Sequence, residues 1–161
     1  MNSFEHLTTP RLALRPFDPE TARAVVEGDL SMLEPAEGWP HEDTVDGLSG
    51  AVKYGWPAGW MITLGGKIIG DCGTHGPADP QGVIEIGYGL AANYRGHGFG
   101  TEVVGAVTNW LLGLPEISAV VASTLADNFP SRRVLEKNGF SFTGFDDEGQ
   151  ALYRRDAATA R

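Results

Sequence analysis

Residues 85–101 (EIGYGLAANYRGHGFGT) carry an apolar strand into a glycine-rich turn that opens, without a spacer, into a helix. Beyond the turn, Val103, Val104, Val107, Trp110 and Leu111 recur at three- and four-residue spacing, the mark of an amphipathic helix. The turn therefore sits at a helix N-terminus, where unpaired backbone N–H groups and the positive end of the dipole favour an anion. Gly96, Gly98 and Gly100 let the backbone curl around a phosphate without Cβ interference. A phosphorylated ligand is expected there.

The remaining elements read as a mixed sheet covered by helices, an α/β or α+β domain. Residues 11–17 alternate Leu12, Leu14 and Pro16 against Arg11, Ala13 and Arg15, so they form a strand. Asp18 caps a helix with Pro19 at its first position, and that helix reaches about Glu27. Val45, Leu48 and Val52 share one face of a second helix stopped by Gly55. Residues 60–64 and 67–72 form a hairpin across Gly65-Gly66, a two-residue turn signal. Residues 83–90 and 119–125 are buried strands, and Asn128 caps a short helix closed by Asn138-Gly139. Residues 141–146 and 151–155 finish the sheet as a hairpin. There is no internal repeat and no linker, so a single domain over 1–161 is expected, with its core at 8–155.

Composition removes several function classes. A net charge of -9 argues against general affinity for nucleic acid or anionic membranes. No apolar run approaches a membrane-spanning length, and residues 1–10 lack the apolar stretch of a signal peptide. The single cysteine, Cys72, cannot form an intrachain disulfide, which fits a cytoplasmic protein. Ser49 lies in Gly47-Leu48-Ser49-Gly50, which is not a nucleophile elbow, and no paired Cys/His spacing exists, so no metal is expected.

The turn is neither of the two common phosphate motifs. A dinucleotide fingerprint from Gly96 requires glycine at 101, where the chain has Thr101. A P-loop is excluded because Gly66-Lys67 is followed by Ile68 and position 61 is Met61. What remains, Arg95-x-x-Gly98-x-Gly100, resembles the acetyl-CoA pyrophosphate loop of the GNAT superfamily of N-acetyltransferases. A second block, residues 128–140 (NFPSRRVLEKNGF), is similar to that family's N-x-x-S-x-x-[VL]-L-x-K-x-G-F, in the order and at roughly the separation the family requires. Residues 9–16 (TPRLALRP) resemble the first strand of the RimJ/RimL-like branch.

The resemblance implies the GNAT fold, with about six or seven strands, about four helices and two neighbouring strands splayed to admit the cosubstrate. It implies an acyltransferase moving acetyl from acetyl-CoA to a primary amine by direct attack in a ternary complex. The main chain of Gly89, Leu90 and Ala91 would pair with the pantetheine arm, with the Leu90 N–H as oxyanion donor. Arg95, Gly96, His97, Gly98, Phe99, Gly100 and Thr101 would wrap the pyrophosphate, with Arg95 or His97 adding positive charge. Asn128 and Ser131 would contact the pantetheine, although Asn128 also reads simply as a helix cap. Glu85 lies where several members supply a glutamate base, and a half-buried carboxylate with a raised pKa would suit that role.

Many members carry a tyrosine where this chain has Leu135, so the proton for the leaving thiolate would come from Tyr88, from water or directly from the amine. Residues 34–60 hold Glu34, Glu37, Trp39, His41, Glu42, Asp43, Trp56 and Trp60, types that suit a cationic amine but read individually as solvated or core residues. His75 and Cys72 read as core or loop residues. The acceptor is a small molecule or a protein N-terminus, the short acidic chain favouring the former. A homodimer is common in the family. A catalytically silent acyl-CoA-binding sensor, or a different acyl donor such as succinyl-CoA, stays open.

Overall fold

Local chemistry sets the boundaries of most elements. In the computed structural model, which describes residues 3–158, the strands are β1 (Leu7–Thr8), β2 (Ala13–Pro16), β3 (Trp60–Leu64), β4 (Lys67–Thr74), β5 (Val83–Leu90), β6 (Ala119–Leu125), β7 (Ser141–Phe145) and β8 (Gln150–Asp156). The helices are α1 (Pro19–Val26), α2 (Glu42–Tyr54), α3 (Phe99–Leu112) and α4 (Phe129–Lys137). Residues 1–2 and 159–161, which the expected domain over 1–161 includes, lie outside the described residues. The Asp18 side chain accepts from the Thr21 N–H at 2.7 Å and starts α1, while Asn128 does the same for Ser131 at the head of α4. Gly65 and Gly66 take φ of 57° and 84°, the left-handed pair that a tight hairpin between β3 and β4 needs.

The sheet runs β1-β2-β3-β4-β5-β6-β8-β7. Every neighbouring pair is antiparallel except β5 and β6, which run parallel and are joined through α3. Their pairing lasts only from Val83↔Ala119 to Glu85↔Val121, and beyond it the two strands diverge. Among the described residues the sheet has eight strands rather than six or seven. The additional strand is β1, two residues paired with Leu14 and Ala13. Two residues carry no readable periodicity; β1 is held beside a tertiary cluster in which Phe4 stacks on Trp60 at 4.3 Å and meets Trp110 edge-on.

The two faces of the sheet pack separately. Val103, Val104, Val107 and Leu111 of α3 bury against Ile84, Ile86 and Val120. On the opposite face Ala22 and Val25 of α1 and Leu48 of α2 cover Met61, Ile68 and Trp39. Among the described residues no helix is long and apolar enough to cross a membrane.

Candidate active site

The strand–turn–helix junction forms as its spacing predicts. Gly98 caps α3 in the left-handed region at φ 82°, a conformation that any side chain would strain. The first acceptor within the helix is the Gly98 carbonyl, bound by the Glu102 N–H, so the N–H groups of the turn before it have no intrahelical acceptor. Gly100 serves a purpose other than freedom of the turn. A Cβ there would sit 3.2 Å from the Tyr88 ring, so this glycine admits the tyrosine against the helix.

Beside the turn, the backbone of β5 has an open edge. The Ala91 N–H donates to Ile69 O and the His75 N–H donates to Glu85 O. In an antiparallel ladder the bonding direction alternates, so the odd-numbered groups of β5 face β4 and those of Tyr88 and Leu90 face the divergence from β6. The Leu90 carbonyl takes a bond from Arg95 Nε at 3.0 Å, leaving the Leu90 N–H as the donor presented to the opening.

A cavity of about 1210 Å³ runs from this opening across the sheet. Gly89, Leu90, Ala91, Arg95, Gly96, Gly98, Phe99, Gly100, Thr101, Asn128 and Ser131 all line it, as does Tyr88. His97 does not, its ring resting 5.9 Å from that of Phe99. Positive charge on the wall comes from Arg95 and, in place of His97, from Arg133 and Lys137, four residues apart on α4. Their spacing inside the second sequence block was the available signal for them.

A smaller space of about 140 Å³ continues between β5 and β6, lined by Tyr88, Ser123, Ser131 and Leu135 among others. The Tyr88 hydroxyl reaches within 3.5 Å of Ser131 Oγ, and burial raises its pKa. Tyr88 thus enters from β5 the same stretch of α4 where Leu135 presents only carbon.

Glu85 differs from its expected electrostatics. His75 Nδ1 lies 3.1 Å from its Oε2, and Ser123 Oγ donates to the same oxygen at 3.4 Å. The bond to His75 lowers the Glu85 pKa rather than raising it, and the same bond raises that of His75. Gly87 makes the arrangement fit, since a Cβ there would meet His75 Nε2 at 2.7 Å. His75 is therefore no isolated loop residue; it lines the main cavity with Glu85 behind it.

The far end of the cavity is built from side chains. Asp71 of β4 stands directly across from Gly89, and its Oδ2 accepts from Trp39 Nε1 at 2.8 Å and from Thr44 Oγ1 at 2.6 Å. Burial raises the Asp71 pKa, opposed by these two bonds. Of the candidates in residues 34–60, Trp39, His41 and Asp43 line the cavity. Glu34, Glu37 and Glu42 are exposed elsewhere, Trp56 stacks on Tyr54 and Trp60 is core. Sequence motifs do not single out Asp71; its cue is a carboxylate within the otherwise apolar run Ile68-Ile69-Gly70-Asp71-Cys72.

Comparison with known proteins adds a lineage. The acetyltransferase (GNAT) domain family matches residues 11–141. An uncharacterized N-acetyltransferase of Bacillus subtilis, YjdG, is 29% identical over 148 residues, covering 83% of this chain and 88% of its own. RimL, a ribosomal protein alpha-N-acetyltransferase solved with coenzyme A, superimposes with a TM-score of 0.72 at 18% identity, covering 94% of this chain and 98% of its own. An aminoglycoside acetyltransferase solved with coenzyme A and kanamycin gives 0.63 at 21% identity, with 90% and 94% covered. At those identities the two solved structures speak to the fold.

Proposed function

The chain belongs to the GNAT acetyltransferase family and is an acyltransferase, and from that premise we propose that it moves acetyl from acetyl-CoA to a primary amine by direct attack in a ternary complex. The observation that carries this reading is the Leu90 N–H, turned away from β4 at the divergence of β5 and β6, next to the N-terminus of α3, which no side chain caps. Acetyl-CoA, when bound, supplies an already activated thioester, so no covalent intermediate on the protein is needed.

The residues divide the work as follows. The turn from Arg95 to Thr101 offers N–H donors for a pyrophosphate, with Arg133 and Lys137 adding charge. The backbone of Gly89, Leu90 and Ala91, with Asn128 and Ser131 opposite, holds the pantetheine arm. The Leu90 N–H stabilises negative charge that develops on the carbonyl oxygen. An alkylamine is protonated at neutral pH, with a pKa of ~10.4, and must lose that proton to attack. His75, which lines the cavity, takes it, and Glu85, 3.1 Å from Nδ1, stabilises the imidazolium that forms. Tyr88, kept protonated by burial, returns a proton to the leaving sulfur from the position where Leu135 has none to give.

We place all of this in one domain over residues 1–161, acting in the cytoplasm. The acceptor is a small-molecule amine: the cavity end opposite the phosphate turn is walled by Trp39, Thr44 and Asp71 and carries no lysine or arginine. The kanamycin-bound neighbour offers a precedent for such an acceptor, and RimL for a protein N-terminus. The test is calorimetric titration of acetyl-CoA followed by thiol release across an amine panel. Micromolar binding with amine-dependent release supports the proposal. Binding without release by any amine or N-terminal peptide would leave an acyl-CoA sensor, and no binding by folded protein would remove the reading altogether.

A further inference from the structure

Asp71 has a free oxygen inside the cavity. Both of its hydrogen bonds, from Trp39 Nε1 and Thr44 Oγ1, converge on Oδ2. Among the described residues the one buried side-chain oxygen or nitrogen without a partner is Thr108 Oγ1. Asp71 Oδ1, to which no residue donates, is therefore reached from the cavity that Asp71 lines. Its two donors are neutral, and among the described residues no lysine, arginine or histidine forms an ion pair with it; His41, on the same wall, acts on it only through space and is opposed by Asp43. The arginines and lysine on the cavity wall, Arg95, Arg133 and Lys137, belong to the phosphate turn and to α4. Holding a carboxylate in such a place is costly unless a cation arrives to face it.

Resting on the acetyl-transfer reading above, we propose that Asp71 Oδ1 anchors a second, non-reacting ammonium of a diamine acceptor, whose other nitrogen lies over Gly89 beside Leu90. Two arguments assign the non-reacting nitrogen to Asp71. An ion pair holds an ammonium in its charged form, which suits an anchor and disables a nucleophile. Asp71 also stands one strand further from the β5–β6 opening than Gly89 does, a spacing of about 4.8 Å, so a cation seated on it is displaced from the Leu90 N–H. Gly89 opens the way between the two positions, because a Cβ there would meet nothing within 4 Å. The proton of the reacting nitrogen then leaves toward His75 and Glu85, along the same face of the sheet, while the anchored one keeps its own.

Calorimetry with putrescine and with aminobutanol, which replaces one ammonium by a hydroxyl, tests this directly. Each is titrated into wild-type protein, into Asp71→Asn and into Thr44→Val, with and without saturating coenzyme A. Wild type should bind putrescine at least about tenfold more tightly than aminobutanol, as expected for a charge-assisted contact. Asp71→Asn, which keeps the shape of the side chain, should erase that preference while coenzyme A affinity holds. Thr44→Val keeps the charge and should keep the preference. Equal binding of the two amines by wild type, or a preference that survives Asp71→Asn, overturns the assignment, and the wild-type comparison decides even if the variant fails to fold. Failure of coenzyme A to bind would instead sink the acetyl-transfer reading, with the diamine arm still legible in the protein alone.

Discussion

At the end of the cavity proposed to hold phosphates, the donors are backbone N–H groups on neighbouring residues of one turn. At the proposed acceptor end they are side chains, and Trp39 and Thr44 reach Asp71 from 32 and 27 positions away in the chain. A site made of backbone is insensitive to most substitutions and fails at the few positions where conformation is at stake. A site made of side chains drawn from several elements is altered by any one of them, while the fold underneath stays the same. The two ends can thus diverge independently: the first suits a ligand common to a whole family, the second a ligand that differs among its members.

The comparison is most easily broken at Gly98. Glutamate there would bring a strained left-handed residue and a negative charge to the head of α3, and acetyl-CoA affinity should fall at least about a hundredfold by calorimetry with the fold intact by circular dichroism. Retained affinity would mean that the turn does not hold the phosphates.

Tyr88→Phe should lower kcat about tenfold or more and leave the acetyl-CoA Kd within about twofold, if the hydroxyl is the proton donor. A Kd change with unaltered kcat would make Tyr88 a packing residue for Gly100.

A pH series sharpens the acceptor side. Glu85 titrates below its ordinary 4.5, so its half of the pair stabilises the fold above that value and the contribution is lost as pH falls through the lowered pKa. His75 titrates above its ordinary 6.5, so its half is fully present below 6.5 and is lost as pH rises through the raised pKa. The pair is therefore strongest between about pH 4.5 and 6.5. Turnover should rise as His75 deprotonates, and Glu85→Gln should move that limb of the kcat profile to lower pH. A profile that keeps its midpoint while the rate collapses would return the base role to Glu85 alone.

The smallest effects belong to α4. Arg133→Ala and Lys137→Ala should each weaken acetyl-CoA binding about threefold, and the loss should shrink as salt is added, because both are exposed. Losses as large as that at Gly98 would contradict a turn built chiefly from backbone.

The same division explains what could be read in the sequence. The phosphate turn is contiguous, and its glycines and the following helix period state their own geometry, so the boundaries of β5 and β6 and the Asn128 cap agree with the structure. The hairpin at Gly65-Gly66 is legible for the same reason. Strand β1 is not, because two residues have no period and their pairing is set by Phe4, Trp60 and Trp110. The acceptor end was equally hidden. Nothing local at Asp71 announces Trp39 or Thr44, and nothing at Glu85 announces that His75 would fold back over Gly87 and invert the direction of its pKa shift. His97, credible as a charge within the turn, rests against Phe99, while Arg133 and Lys137 reach the cavity from another helix.

The short parallel pairing of β5 with β6 reaches beyond catalysis. Three residue pairs and the crossover helix join the two halves of the sheet, and the amides of Tyr88 and Leu90 are left without a neighbouring strand. A ligand lying along β5 would supply the missing rung. Those two amides should then exchange with solvent quickly in the free protein and slowly in the complex, and ligand at a hundred times its Kd would add about 2.7 kcal/mol to resistance against unfolding. For a protein built this way, its endurance against heat and proteases is set partly by the supply of its own cosubstrate.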